Sequence, residues 1–110
     1  MLIGSDVLPD DQKLIIETAK VIRVGFLQQN AFHKEDTYVP MDKQLAMMRA
    51  IIRMHDLSGA AISSGVPLAK IIETGLFDRL VRMKYDVPND EVGLIDYLIR
   101  EIEETITPAM

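Results

Sequence analysis

Apolar residues recur three and four positions apart along nearly the whole chain, and no segment alternates as a half-buried strand would. The spacing predicts an all-α fold: a compact bundle of four to six helices with short connections, forming one domain over residues 1–110. A first helix is expected from about Pro9 to Leu27. Its inner stripe is Leu14, Ile15, Thr18, Ala19, Ile22 and Phe26, with Lys13, Glu17, Lys20 and Arg23 mostly outside. Gly25 should weaken its last turn. "QQNAFHKEDTYVP" reads as an irregular connection.

A long second helix follows from near Pro40 to about Ser63. Asp42, Arg49, Arg53 and Asp56 mark its wet side, and Leu45, Met47, Met48, Ile51, Ile52 and Met54 supply a wide buried side. In "SSGVP", Gly65 suits a left-handed cap and Pro67 restarts a short helix to about Thr74. Gly75 breaks the chain again. "LFDRLVRMKYD" forms a further helix with Phe77, Leu80, Val81 and the stem of Lys84 inward. In "VPND", Asn89 is the expected N-cap of a last helix from about Asp90 to Thr105, which buries Leu94, Ile95, Leu98, Ile99 and Ile102. Pro108 stops it.

Composition narrows the function classes. Hydrophobic residues make up 48% and charged residues 26%, a globular balance. With no cysteine, neither a disulfide framework nor a thiolate metal site is possible. Seventeen acids against twelve bases give a net charge of -5, which argues against a nucleic-acid partner. No apolar run approaches the ~20 residues of a membrane span, and the N-terminus has no signal-peptide pattern. A membrane link is therefore expected only through partners, and a reducing, cytoplasmic setting is the default.

Catalytic chemistry is sparse. His33 and His55 are far apart and lack a ligand-spaced carboxylate, so no zinc site is expected, and His55 reads as a hydrogen-bonded core histidine. Ser58, Ser63 and Ser64 have no nucleophile-elbow context, and no Walker-type phosphate loop occurs. The methionines are mostly packing material. Two segments carry more. In "IGSDVLPDD", Asp6, Asp10 and Asp11 crowd a helix start, where they either complement the dipole or present negative charge to a partner. In "GFLQQNAF", Phe26 and Phe32 flank Gln28, Gln29 and Asn30, residue types that can stack on a base and bond its edge, or else plug the core.

The stretch "LIGSDVLPDDQKLIIETAKVIRVGFLQQNAFHKEDTYVPMDKQLAMMRAIIRM", with "FLQQNAF", "DTYVP" and "LFDRLVRMKYDVP" as its hallmarks, resembles the C-terminal helical domain of the catalytic A subunit of V/A-type rotary ATPases, in the archaeal-like style. The likeness runs over essentially the whole chain and is strongest from Gly4 to Met54. The first stretch is also similar to the acidic loop Asp-Glu-Leu-Ser-Glu-Glu-Asp of F-type β subunits. Here that loop reads Asp6-Val7-Leu8-Pro9-Asp10-Asp11-Gln12, with fewer acids.

The resemblance implies that this is part of a larger subunit whose upstream nucleotide-binding domain carries the P-loop, the catalytic glutamate and the phosphate-binding arginines. No catalytic residue, cofactor or metal is then expected in this domain itself, and ATP or ADP with Mg2+ belongs to the full subunit. Phe32, Gln28 and Ala31, with Phe26 beside them, match the family's adenine-side contacts. The turn Asp6, Val7, Leu8, Pro9, Asp10 and Asp11 matches the part that reaches the central rotor stalk. The implied partners are the subunit's own nucleotide-binding domain, the B subunits of the A3B3 ring and the stalk. The implied location is the peripheral sector on the cytoplasmic side of a membrane-bound, proton- or sodium-translocating complex. A free-standing helical adaptor module is the alternative. It has no reason to carry both the acidic turn and "FLQQNAF".

Overall fold

The computed structural model describes residues 8–27 and 39–110. Among these it contains five α-helices and no strand: α1 (Asp10–Lys20), α2 (Met41–Ser63), α3 (Leu68–Glu73), α4 (Leu76–Asp86) and α5 (Gly93–Ile106). The last is closed by a 3-10 turn, Thr107–Ala109, into which Pro108 falls. The all-α bundle expected from the spacing is the fold that forms.

α2 is the hub, touching every other helical element. Its buried seam is Lys43, Ala46, Met47, Ala50, Ile51, Met54, Leu57, Ser58 and Ala61, a helical stripe built of three- and one-residue steps. The alanines let neighbouring backbones approach, while the methionines and isoleucine fill the remaining volume. α5 lies along this seam with Ile95, Leu98, Ile102 and Ile106, and α4 adds Leu76, Phe77, Leu80 and Met83. Exposed ion pairs tie the outside, Arg53 Nη2 to Glu103 Oε2 at 2.8 Å and Arg79 to Glu101.

The seam agrees with the expected one at Met47, Ile51 and Met54 and departs from it elsewhere. Leu45 and Ile52, expected inside, are 57% and 52% exposed, and Met48 is half-buried. At 3.6 residues per turn Leu45 and Ile52 lie on the side of α2 away from the stripe that starts at Lys43, and Met48 lies between the two sides. In the same way Ile15, Ala19 and Leu94 are exposed rather than buried. A helix with more apolar residues than one stripe needs has no internal signal for which edge faces the core. In α2 the buried side is the one that carries Ala46, Ala50 and Ala61 together with Met47, Ile51 and Met54.

Local chemistry sets the breaks. Pro9 and Pro40 sit just before α1 and α2 with extended backbones, not inside the first turn. After α2, Gly65 adopts φ 105°, its N–H donates to Ile62 O at 3.1 Å, and Val66 N–H donates to Ala61 O at 2.9 Å. This is the double-bonded glycine stop expected from "SSGVP". The last helix begins later than expected, at Gly93, and Asn89 does not cap it. The Asn89 side chain is engaged elsewhere, as an acceptor for Lys43.

The first helix also changes character. Beyond Lys20 it continues as a π-helical stretch, Val21–Leu27. The wider turn moves Val21 and Gly25 into the core face. Gly25 is required there for a reason other than the helix weakening expected of it. A Cβ at this position would lie 2.8 Å from Val81 Cα and 3.0 Å from Val81 O, so the π stretch rests directly on the α4 backbone.

Lys43 is fully buried, and its ammonium donates to Lys84 O at 2.8 Å, Val87 O at 2.6 Å and Asn89 Oδ1 at 2.8 Å. Two of these acceptors are carbonyls at the C-terminal end of α4, where the helix dipole is negative and intrahelical donors run out. Lys43→Met keeps the stem's volume but removes the shared donor. We expect it to lower unfolding free energy by about 3 kcal/mol, from charged hydrogen bonds to desolvated acceptors. A fall in the urea midpoint at constant slope checks this, and an unchanged midpoint refutes it.

Candidate functional site

The described parts of the two segments singled out as functional, residues 8–11 and 25–27, lie at opposite ends of one continuous rod, α1 plus the π stretch. Asp10 stands at its start and Phe26 one residue from its end. At a helical rise of 1.5 Å per residue they are separated by roughly 20–24 Å. Midway, Thr18 Oγ1 and His55 Nδ1 are hydrogen bonded at 2.7 Å, pinning the rod to α2. His55 is thus hydrogen bonded, as expected of it, but half-buried rather than in the core. His33 lies outside the described residues.

At the acidic end, Leu8 is half-buried and Pro9 exposed. The Pro9 carbonyl accepts from Gln12 N–H and Lys13 N–H, each at 3.0 Å, which starts the helix. Asp11 Oδ1 accepts from the adjacent Gln12 N–H at 3.0 Å. Asp10 does something its sequence position does not suggest: its Oδ2 accepts from Leu68 N–H at 2.9 Å. Leu68 is the first residue of α3, and the residue before it, Pro67, has no side-chain oxygen to serve as cap. Asp10 therefore caps a distant helix while also sitting in the first turn of its own. Between α1 and α3 this leaves a cavity of about 360 Å³ with Asp10, Lys13 and Glu17 at its edge and Ile16, Leu68 and Ile72 lining it. Asp6 and Val7, the other members of the expected contact, lie outside the described residues.

At the aromatic end, Phe26 is half-buried and packs against the core. Its carbonyl accepts from Lys84 Nζ at 3.4 Å. Gln28, Ala31 and Phe32 lie outside the described residues, so of the expected adenine-side set the structure places Phe26. π-helical turns recur at functional positions in helical proteins. The return of the chain is held as well: Val39 O accepts from Gln44 Nε2 at 2.9 Å, and Val39 packs on the core.

Among the described residues no cluster of three or more His, Asp or Glu could hold a metal. No described helix is long and apolar enough to cross a membrane. Sequence reasoning missed the Asp10–Leu68 bond and the inward Lys43. The second had a signal, since Lys43 stands three and seven positions before Ala46 and Ala50 on the same face. The first had none, because it joins residues 58 positions apart.

The family model for the C-terminal domain of V and A type ATP synthase matches residues 1–72, from the N-terminal segment into α3. The V-type ATP synthase alpha chain 2 of Clostridium tetani is 47% identical over 106 residues, covering 96% of this chain and 17% of that protein. The V-type ATP synthase alpha chain of Halothermothrix orenii is 38% identical over 103 residues, 94% of this chain and 18% of the relative. The A subunit of the A-type ATP synthase of Methanopyrus kandleri is 43% identical over 90 residues, 82% and 15% respectively. The chain thus spans less than a fifth of the length of these relatives.

The Asp10 contact can be separated from its charge. Asp10→Asn keeps an oxygen facing Leu68 N–H, whereas Asp10→Ala leaves that amide without it. We expect the alanine variant to lose about 1 kcal/mol, the ordinary worth of a cap, and the asparagine variant to stay within about 0.5 kcal/mol. Thermal melting should separate the two by about 4 °C. Equal losses in both variants would mean that charge, not the cap, matters here.

Proposed function

This chain belongs to the family of the C-terminal domain of V and A type ATP synthases, and from that membership we propose that it links nucleotide to rotor within the catalytic A subunit. One end, with Phe32, Gln28, Ala31 and Phe26, forms the adenine-side wall of the nucleotide site. The other, the turn from Asp6 through Val7, Leu8 and Pro9 to Asp10 and Asp11, bears on the central stalk. The observation that carries this reading is the continuous rod between Asp10 and Phe26, pinned to α2 by the Thr18–His55 bond.

The division of labour follows from the residues present. Phosphate and Mg2+ chemistry needs backbone cradles, a lysine and metal-binding carboxylates. These belong to the upstream nucleotide-binding domain of the full subunit, which takes ATP or ADP with Mg2+. This domain supplies shape: an aromatic beside amide side chains for the base, and a stiff helix for the push. Its partners are that upstream domain, the neighbouring B subunits and the stalk, in the peripheral sector on the cytoplasmic side of the membrane. Ion transport is reached only through the complex. The adaptor alternative finds no support in the family match.

Two experiments test the two ends. Deleting Val7 to Pro9 in the assembled enzyme should sharply reduce ATP-driven torque while hydrolysis continues. Single Asp-to-Asn changes should be mild, because exposed charges contribute about 0–1 kcal/mol each and are screened by salt. Full torque after the deletion would end the stalk-contact reading.

At the other end, Phe32→Ala in the full subunit should weaken nucleotide binding by about 1–3 kcal/mol, the worth of base–aromatic stacking, and leave the domain folded. If Phe32 plugs the core instead, stability falls by roughly 3–5 kcal/mol with no specific nucleotide defect. Melting and nucleotide titration of the same variant decide between them.

A further inference from the structure

Two buried lysines are stacked at the end of the rod. The Lys84 side chain is buried, and its ammonium reaches the Phe26 carbonyl at 3.4 Å. Its own carbonyl accepts from Lys43 Nζ at 2.8 Å. We propose that Lys84 is a positioning residue for nucleotide binding: its ammonium fixes the backbone at Phe26 and so sets where the Phe26 ring stands. This rests on the reading of Phe26 as an adenine-side residue.

The geometry makes the contact a consequence of the fold. The last carbonyls of a helix have no intrahelical donor, and a cation is the favoured partner there. Gly25 brings the π stretch onto the backbone of Leu80 and Val81. Lys84 lies four and three positions further along α4, on the same face, so its side chain meets the carbonyl next to that contact. Lys43 then holds Lys84 from the other side, with Val87 and Asn89 as further acceptors. Because Lys43 is in the first turn of α2, α4 is fixed both to the end of the rod before residues 28–38 and to the helix that follows them. A general packing role would be filled as well by any apolar side chain of similar length. A carbonyl at a helix end needs a donor.

The test compares Lys84→Met with the parent in the assembled full-length enzyme, following ATP hydrolysis and melting. Methionine fills the stem's volume without the ammonium. We expect KM for ATP to rise about three- to tenfold while kcat stays within about twofold, the scale of one lost hydrogen bond. Phe26→Leu, which keeps an apolar contact but removes the ring, should raise KM too. The double variant should add little to the larger single effect. An unchanged KM in Lys84→Met, beside a raised KM in Phe26→Leu, overturns the positioning role and leaves the adenine-side reading intact. An unchanged KM in Phe26→Leu overturns that reading, and the positioning role with it. Should Lys84→Met fail to assemble, Lys84→Gln, too short to reach Phe26 O, takes its place. Failure of both to assemble assigns the ammonium to the fold alone and overturns the proposal.

Discussion

The ammonium of Lys43 is the point on which the packing around it depends. Burying such a group costs several kcal/mol unless its protons find good acceptors. Lys84 O, Val87 O and Asn89 Oδ1, from the end of α4 and the connection after it, are among them. The requirement works in both directions. The lysine is tolerable only if α4 ends where it does, and the end of α4 is satisfied only if α2 presents its first turn there. Asn89 is drawn into this arrangement and is no longer free to cap α5. That explains why α5 starts at Gly93 with turn hydrogen bonds ahead of it, Glu91 N–H to Pro88 O and Leu94 N–H to Glu91 O, both at 3.0 Å.

With α4 fixed, the π-helical end of the first helix has a fixed surface to meet. A π turn makes poorer use of its hydrogen bonds than an α turn and persists where tertiary contacts favour it. Here the contact is Gly25 on the Val81 backbone, an approach that no side chain permits. The same residue that lowers helix propensity therefore enables the tightest helix–helix contact among the glycines described. Local preference and tertiary packing pull in opposite directions at Gly25, and packing prevails.

The sequence was most informative where punctuation was strong. Pro40, the Gly65–Pro67 pair and Gly75 placed α2, α3 and α4 within a residue or two, because φ restrictions act locally whatever the surroundings. It was least informative about which edge of a broad apolar helix turns inward. Leu45, Ile52, Ile15 and Leu94 were expected inside on hydrophobicity and are exposed, while Ala46, Ala50 and Lys43 form the seam. Met47, Ile51 and Met54 of the expected set do lie in that seam, but a pattern of single residues does not say which flank of a broad apolar helix joins them. Of the candidate site, the two ends were legible as motifs. Their placement along one helix from about Pro9 to Leu27 was legible too; the π form of its second part was not, since it depends on the contact of Gly25 with α4.

That placement also bears on how a push could travel. Among the described residues, the acidic end is joined to the rest of the domain by few polar bonds. The clearest is Asp10 to Leu68 N–H, a cap worth about 1 kcal/mol. Force transmitted through such a bond alone would break it before moving anything. The rod is instead backed along its length by close-packed apolar groups. Leu14 and Val21 are each 2% exposed, Leu14 rests against Gly59, and the Thr18–His55 bond sits between them. Interiors packed at this density resist compression and move as units. On the proposed reading, a push at Asp10 would travel toward Phe26 along this packed face, through Leu14, Thr18 and Val21, rather than through the single cap.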